Sequence, residues 1–309
     1  MKKSVFARSF AILLISCIFC SILSECGSSS KSSSSEPPVY SPLRVLVPEA
    51  PGSDTLGSSP LTLDVSNITQ GYFAAQSDSA DLVTSLQITA PTGVLYSYFI
   101  EPGENAVIPF TEGDGDYTVV GYQQIQGDQY AALYSEILTV ELENEFLPFL
   151  YPNQYVNFTP DSKASQLALS LIDEDTVDVD ALQQIYDYVV SNLTYDYEKA
   201  DTVTTGYLPD VDETLKTGTG ICFDYAALTT AMLRSCDIPC KLQIGYAGDI
   251  KHAWIDVYIR SKGWVNQAVS FKGDTWTLMD PTFDSNSDDK EAIQDYIGDE
   301  SNYTVQFTR

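Results

Sequence analysis

The chain has 309 residues, of which 44% are hydrophobic and 12% aromatic, so it can bury a substantial core and exceeds the size of one average domain. Its formal net charge of −27 arises from 43 acidic and 16 basic residues, and the basic residues form no cluster along the chain. Because phosphate backbones are bound by clustered Lys and Arg side chains, this composition argues against nucleic acid as a partner.

The first 25 residues are predicted to be a signal peptide. They combine a basic start (Lys2, Lys3 and Arg8) with an apolar stretch from about Phe10 to Leu23. That stretch is too short for a helix of ordinary membrane-spanning length, but it suits an export signal. We therefore expect the protein to work outside the cytoplasmic membrane.

A serine-rich tract over residues 26–40 is predicted to be a flexible tether, because it has too little apolar surface to fold. Cys26 begins the tether, at the end of the sequence LSEC. This sequence resembles the lipobox of bacterial lipoproteins, which implies lipidation of Cys26 and an anchor in the cell membrane. Glu25 stands where that pattern prefers a small residue, so a cleaved signal and a secreted protein are the alternative.

Residues 41–146 are predicted to form an all-β domain. Short strand-like segments are separated by turn sequences such as PTG, EPGEN and EGDGD. Strands at a spacing of roughly ten residues are typical of an immunoglobulin-like β-sandwich. The tyrosines of this region are expected to be core and cross-strand residues, and a carbohydrate-binding platform is the alternative.

From residue 147 to residue 309 a second domain is predicted, because the hydrophobic period changes from two residues to about 3.6. The segments 162–172 and 178–193 are predicted to be amphipathic helices that contribute to a core. The second of these begins with aspartates, which suit the positive end of a helix dipole.

Cys222 opens a further predicted helix. It follows Gly218 and Gly220, which allow a tight backbone approach, and the segment CFDYAALTTAMLR is rich in helix formers. The unpaired amides and the dipole at a helix start favour a thiolate, so this position predicts a reactive cysteine. Asp224, in the first turn, is interpreted as a partner of those amides rather than as a catalytic acid.

Two further residues complete a candidate catalytic set. His252 is the single histidine of the chain and opens the alternating segment HAWIDVYI, which is predicted to be a strand. Asp280 follows the strand-like segment WTLM and precedes Pro281, which ends the strand. An imidazole oriented by a carboxylate can serve as the base for a thiol nucleophile. We therefore predict that Cys222, His252 and Asp280 converge.

Four segments together resemble the pattern of the transglutaminase-like superfamily, and they are, in chain order, GTGICFDYAALTTAMLRSCDIP, HAWIDVYI, GW and MDPTFD. The resemblance spans about residues 183–283. It implies a papain-like α+β core, in which a helix packs on an antiparallel sheet, with Cys222 as nucleophile, His252 as base and Asp280 as orienting acid. Together with the Tyr195–Asp196 pair, the wider pattern resembles exported Gram-positive bacterial lipoproteins of this family that carry an N-terminal β domain.

The chemistry that this resemblance implies is acyl transfer through a cysteine thioester, with no cofactor. We expect hydrolysis of a protein or peptide substrate, which could lie at the cell wall. Cross-linking or deamidation of glutamine is one alternative, and a catalytically idle surface-binding module is another. The Cys222 amide and, more weakly, Tyr195 are candidate oxyanion donors. Trp254 could shield the pair formed by His252 and Asp280 from water, and a packed indole with no chemical role is the alternative.

Three further predictions accompany this interpretation. The segment VNQAVSFKGDTWTLM, between Trp264 and Asp280, is longer than the linker usual in the family, and we interpret it as an inserted hairpin that turns near residues 272–274. Cys236 and Cys240 are predicted to be small buried thiols, with a disulfide between them as the alternative. One histidine and scattered cysteines lack the spacing of a metal site, so no metal is expected.

Overall fold

The structure is a computed structural model that describes residues 45–173, 176–266, 269–272, 275–278 and 303–309. The predicted signal peptide, the predicted tether with Cys26, and Asp280 lie outside the described residues. Among the described residues, no helix combines the length and the apolar character needed to cross a bilayer.

The first part of the described chain is an antiparallel β region, as predicted. Its strands are β1 (Thr55–Ser58), β2 (Leu61–Asp64), β3 (Tyr72–Ser77), β4 (Thr84–Thr89), β5 (Leu95–Ile100), β6 (Asn105–Pro109), β7 (Gly115–Gln126) and β8 (Gln129–Val140). They form two four-stranded sheets, with the orders β1-β2-β3-β6 and β5-β4-β7-β8. Because Leu63 and Phe73 of the first sheet and Leu86 and Val119 of the second belong to one buried cluster, the two sheets form a sandwich.

The second part consists of helices followed by a sheet. Its helices are α1 (Lys163–Leu171), α2 (Asp178–Asn192), α3 (Tyr197–Thr202), α4 (Val211–Thr217) and α5 (Cys222–Ser235). Its strands are β9 (Thr194–Tyr195), β10 (Thr219–Gly220), β11 (Cys240–Ala247), β12 (Ile250–Ile259), β13 (Gly263–Val265), β14 (Val269–Lys272), β15 (Thr275–Leu278) and β16 (Tyr303–Thr308). Single-turn 3-10 helices lie at Ile68–Gln70 and Leu147–Phe149.

Helix α5 is the centre of the second part. It packs against the helices α1, α2 and α4 and against the strands β11 and β12. The sheet behind it has the antiparallel order β13-β12-β11-β16. Every residue of α5 from Asp224 to Ser235 is buried, and Leu228 and Met232 belong to one core with Leu182 of α2 and Val257 of β12. A helix on an antiparallel sheet is the arrangement that the sequence led us to expect.

The insertion before Asp280 is a hairpin, as predicted. Strands β14 and β15 are antiparallel, and Lys272 lies opposite Thr275 at the end of the ladder. Seven strands, β1, β3, β9, β10, β11, β13 and β16, and two helices, α3 and α4, were not predicted. Most of them are short: β9 and β10 have two residues each, β13 has three, β1 has four mostly exposed residues, and the helices have six and seven, too few to establish a repeating apolar pattern.

The C-terminal end of α5 is held by a buried arginine. The Arg234 guanidinium donates hydrogen bonds to the carbonyl oxygens of Tyr151 (2.8 Å), Cys240 (2.8 and 3.0 Å) and Arg309 (2.9 Å). Burial lowers the pKa of Arg234 to about 10, so the side chain keeps its charge at neutral pH. One cation therefore joins the helix, strand β11, the segment before α1 and the segment after β16.

Candidate active site

Cys222 and His252 line the same cleft, which has a volume of about 1080 Å³. One wall comes from the sandwich, where β5 and β6 contribute Leu95, Phe99 and Asn105. The other wall comes from the helical part and the second sheet. Two residues that are distant in sequence, and were singled out for their chemistry, are thus brought to one cavity, while the position of Asp280 lies outside the described residues.

Cys222 occupies the first position of α5. The preceding residue, Ile221, is extended (φ −97°, ψ 175°), so the helix begins at the cysteine as the sequence predicts. The cysteine is partly exposed on the cleft. The first amides of a helix have no partner within the helix and carry partial positive charge. This position therefore suits a thiolate, and it also suits the oxyanion that forms when a thiolate attacks a carbonyl group.

A short parallel ladder positions Tyr195 beside the segment that leads into Cys222. Strand β9 pairs with β10, so that Tyr195 lies opposite Gly220, and the Asp196 N–H donates to the Gly220 carbonyl (2.9 Å). A Cβ on Gly220 would lie 2.7 Å from the Asp224 Cβ, so a larger residue does not fit there. Tyr195 therefore lines the cleft together with Cys222.

Asp224 ties the first turn of α5 to the cleft wall. Its buried carboxylate accepts hydrogen bonds from the Ile221 N–H (2.8 Å), the Lys199 ammonium (2.7 Å) and the Tyr207 hydroxyl (2.5 Å). This confirms the interpretation of Asp224 as an amide partner. We call Lys199, Tyr207 and Asp224 the wall network, because it fixes α3 and the segment 203–208 against the helix that begins at Cys222.

The protonation states of the wall network follow from its contacts. Burial lowers the pKa of Lys199, but its hydrogen bonds to Asp224 and Tyr207 outweigh that effect and leave the pKa raised. Burial, with a contribution from the hydrogen bond to Asp224, raises the pKa of Tyr207 to about 12. At neutral pH the lysine is therefore charged and the tyrosine is neutral.

His252 lies on β12, is 6% exposed and is opposite Gly245 of β11. A Cβ on Gly245 would lie 2.0 Å from the Thr304 carbonyl oxygen, so only glycine allows β16 to approach β11 at this point. The pairing of β11 and β16 also shifts register there. The β11–β16 pairing is thus irregular beside the histidine, while the β11–β12 pairing that includes His252 is continuous.

Trp254 follows His252 on the same face of β12 and does not line the cleft. Its ring is nearly parallel to the imidazole, at 20° and 6.3 Å between centroids, and packs edge-on against Tyr303 at 5.2 Å. Trp254 is 2% exposed. This position is compatible with the predicted shielding of the imidazole, which stays a prediction because Asp280 lies outside the described residues.

Aromatic residues that the sequence analysis missed line the same cleft as Cys222. The Phe223 ring is 6.2 Å from the Tyr155 ring and 6.3 Å from the Tyr207 ring, and all three residues line the cleft. Phe223 could have been found, because it directly follows Cys222. Tyr155 and Tyr207 come from irregular segments that carry no motif, so only the folded chain reveals them.

A second buried arginine joins the two walls. The Arg309 guanidinium lies 4.7, 4.6 and 4.2 Å from the ring centroids of Tyr96, Tyr98 and Tyr155. It donates hydrogen bonds to the hydroxyls of Tyr98 (2.6 Å) and Tyr155 (3.4 Å). Because Tyr96 and Tyr98 belong to β5, this cation–π cluster holds the sandwich wall to the segment after β16.

The remaining described cysteines are structural. Cys236 and Cys240 are free and buried, which confirms the prediction of buried thiols over a disulfide. Burial raises the pKa of each thiol to about 12. Within the described part of the chain, no group of three or more His, Cys, Asp or Glu residues could hold a metal ion.

Residues 165–281 match a family model described as the transglutaminase-like superfamily. The matched segment is a little over a third of the chain and includes Cys222, His252 and Asp280. The chain thus contains a transglutaminase-like superfamily core. No curated protein matches the chain significantly.

Several solved structures are distantly similar. One is a proposed cysteine protease from Cytophaga hutchinsonii, with 18% identity, 77% of this chain and 79% of that chain covered, and a TM-score of 0.38. Another is the periplasmic domain of TgpA from Pseudomonas aeruginosa, with 14% identity, 71% and 74% covered, and a TM-score of 0.31. A third is red sea bream transglutaminase, with 15% identity, 70% and 49% covered, and a TM-score of 0.29.

Proposed function

We propose that this protein is an exported, thiol-dependent acyl-transfer enzyme that hydrolyses peptide bonds through a thioester on Cys222. The observation that carries the proposal is that Cys222, at the start of α5, and His252, on β12, line one cleft. A thiol and an imidazole that share a cleft are the pair that cysteine nucleophiles use. The role of Asp280 as the acid that orients His252 is part of the proposal and rests on the sequence.

In the first step the Cys222 thiolate attacks the carbonyl carbon of a peptide bond. A C–S bond forms, the C–N bond breaks, and the His252 imidazolium gives its proton to the departing amine. The negative charge that develops on the carbonyl oxygen needs preorganised donors, for which the Cys222 N–H and the Tyr195 hydroxyl are candidates. The products of this step are a thioester and a free amine.

In the second step His252, now neutral, takes a proton from water as the water oxygen attacks the thioester carbon. The C–S bond breaks, which releases the carboxylic acid and restores the thiolate and the imidazolium. A primary amine in place of water would give a cross-link, and attack by water on a glutamine-derived thioester would give deamidation. Hydrolysis is favoured because Cys222 is partly exposed and water is in large excess.

Thiol labelling tests whether the site is reactive. Iodoacetamide should modify Cys222 rapidly near neutral pH, His252→Ala should slow the reaction strongly, and Cys222→Ala should remove the label. Cys236→Ala is the control, since that buried thiol should contribute no label to the folded protein. Slow labelling that His252→Ala does not affect would instead favour a surface-binding module without catalysis.

A second experiment separates hydrolysis from cross-linking. The protein is incubated with a glutamine-containing peptide library and a fluorescent primary amine, with Cys222→Ala as the blank. Peptide fragments that need Cys222 support a peptidase. Incorporation of the amine, or a mass gain that corresponds to glutamate in place of glutamine, would replace the peptidase by a transglutaminase or a deamidase.

The location and the partners are also proposals. The signal peptide over residues 1–25 and the lipobox-like sequence before Cys26 support a lipid-anchored protein outside the cytoplasmic membrane, whose substrate is a protein or peptide, for instance at the cell wall. Membrane fractionation of the wild type and of Cys26→Ala tests the anchor. Release of the variant into the medium supports it, whereas unchanged fractionation contradicts it.

The finer classification of the two parts is likewise our inference. The sandwich is assigned to the immunoglobulin-like type, because β4 and β7 are neighbours in one sheet and β3 and β6 in the other, as in a Greek key. The part from residue 147 onward is assigned to the papain-like arrangement, because α5 carries the cysteine and packs on the strand that carries the histidine.

A further inference from the structure

The walls of the cleft concentrate the apolar surface of the protein. Half of the large hydrophobic residues that are exposed in the described part of the chain line this one cleft. They are Val47, Leu95, Phe99, Val203, Leu208 and Ile250. Single exposed hydrophobic residues are common on soluble proteins, but a group of them around one concavity marks a binding surface.

These residues come from separate parts of the chain. Leu95 and Phe99 lie on β5 and face outward from the sandwich, Leu208 lies on the segment that the wall network holds, and Ile250 begins β12. Both walls of the cleft are therefore apolar. The cation–π cluster of Arg309 connects β5, on one wall, with Tyr155 and the segment after β16.

The aromatic residues that line the cleft together with Cys222 add to this surface. Phe223, which directly follows Cys222, is partly buried between the rings of Tyr155 and Tyr207. Because Phe223 adjoins Cys222 in the chain, we expect a substrate side chain close to the attacked carbonyl to meet these rings.

Exposed charge at the cleft is mainly acidic. Glu101, Glu104 and Asp201 line it and are exposed, whereas Lys251 is the one exposed Lys or Arg among its lining residues in the described chain. The positive charge of Arg309 is already engaged by aromatic rings and two hydroxyls. An acidic peptide would therefore be repelled, and this repulsion adds to that of a chain with a net charge of −27.

We propose that the cleft binds an extended peptide segment that carries a bulky apolar side chain next to the acyl-donor residue and uncharged or basic residues around it. This rests on the proposed function for the identity of the reacting bond. The volume of about 1080 Å³ suits such a segment, because it exceeds the roughly 300–1,000 Å³ of typical small-molecule pockets.

Binding to a catalytically dead variant tests the preference without any need for turnover. Short fluorescent peptides that differ at a single position (Leu, Phe, Ser or Asp) are titrated against Cys222→Ala and followed by fluorescence anisotropy. The Leu and Phe peptides should bind about 10-fold tighter than the Ser peptide, as expected for burial of one large apolar side chain. The Asp peptide should bind weakest.

Variants of residues on the two cleft walls test whether those walls cause the preference for apolar peptides. Phe99→Ser combined with Leu208→Ser, one from each wall, should reduce the apolar preference at least about 3-fold. Ile137→Ser is the control, because Ile137 is 67% exposed on β8, at the opposite edge of the sheet that contains Phe99, and lies outside the cleft. All three residues are exposed, so each variant should retain the thermal midpoint of its parent.

The outcomes separate this inference from the proposed function. Equal binding of all four peptides, a preference for Asp, or an equal effect of the Ile137 control would overturn the inference. An apolar preference in Cys222→Ala, combined with no cleavage of the same peptides by the wild type, would overturn the peptidase and leave the binding preference intact. Cleavage of the peptides by the wild type, combined with no apolar binding preference in Cys222→Ala, would overturn the inference and leave the peptidase intact.

Discussion

The two ends of helix α5 are built in opposite ways. At the C-terminal end Arg234 is fully buried and donates hydrogen bonds to carbonyls of Tyr151, Cys240 and Arg309. At the N-terminal end the first residue, Cys222, is partly exposed on a cleft, and the buried Asp224 accepts from the amide of Ile221. We call the C-terminal end the closed end, because other segments enclose it, and the N-terminal end the open end, because it faces the cleft.

This difference shows how one helix can serve both stability and chemistry. A helix end leaves backbone groups without partners, and these must be satisfied by side chains, water or a ligand. At the C-terminal end the carbonyls of Leu233 and Arg234 accept from backbone amides of residues 236–238, and the Arg234 side chain ties this end to other segments. Where the end faces a cleft, as at Cys222, the positive end of the dipole can hold the negative charge of a thiolate or an oxyanion.

The strongest test of the open end is removal of its thiol. Cys222→Ala should lower peptide turnover by at least about 10³-fold, because no other side chain can form the thioester. The free energy of unfolding should change little, since the side chain is partly exposed. Turnover is followed with cleavable peptides and stability with urea. Residual turnover near the wild-type level would show that the open end is not the reactive one.

The strongest test of the closed end is removal of its cation. Arg234→Met should lower the free energy of unfolding by at least about 3 kcal/mol, because several buried carbonyls lose their donor and each costs about 1–3 kcal/mol. Urea denaturation measures the change. Arg260→Met is the matched control, because Arg260 is about a third exposed and lies 3.6 Å from Asp178, so its loss should cost less. Equal losses would contradict the special role of Arg234.

The wall network should matter to both stability and reactivity. Asp224→Asn replaces an acceptor by a donor next to Lys199, which should lower the free energy of unfolding by about 2 kcal/mol. It should also slow alkylation of Cys222, because the first turn of α5 is no longer held against Tyr207. Urea denaturation and iodoacetamide kinetics measure the two effects.

A second lysine–carboxylate pair provides the control for this test. Lys216 and Glu213 are 2.6 Å apart but both side chains are exposed. Glu213→Gln should therefore have no measurable effect on stability or on the alkylation rate. If Asp224→Asn behaves in the same way as Glu213→Gln, the wall network does not position the helix start.

The smallest expected effect is the pH dependence of stability that arises from Cys236 and Cys240, the two buried thiols that follow α5. Burial raises the pKa of Cys236 and of Cys240 from 9.0 to about 12, above the value in the unfolded chain. Their contribution to stability is thus complete below pH 9 and is lost as the pH rises through 12. At pH 9 the loss is roughly 0.4 kcal/mol for each thiol.

The pH dependence can be assigned by comparison. Urea denaturation at increasing pH should show a smaller loss for the double variant Cys236→Ala, Cys240→Ala than for the wild type. Buried tyrosines such as Tyr207 lose stability in the same direction, so only the difference between the two proteins reports the thiols. Identical pH dependence in both would mean that the two thiols are not buried as described.

Several elements with a clear period were predicted from the sequence, but β11 was missed although its apolar residues alternate. Helix α2 and strand β7 each contain enough residues to show the helical or the alternating period of their apolar side chains. The start of α5 was predicted from the glycines before Cys222. The hairpin of β14 and β15 was predicted from its length and its central turn residues. Helices α3 and α4 were missed because they are held by side-chain caps, Asp196 and Asp210, rather than by an apolar stripe.

The sequence by itself determined the reactive groups and their local settings. Cys222 begins a helix and His252 lies on a strand because capping, propensity and alternation act between neighbours in the chain. Only the tertiary structure decided what surrounds them. Tyr155, Phe99 and the Arg309 cluster meet because the sandwich packs on the second part, and such contacts between distant residues depend on the whole buried surface, which no local pattern encodes.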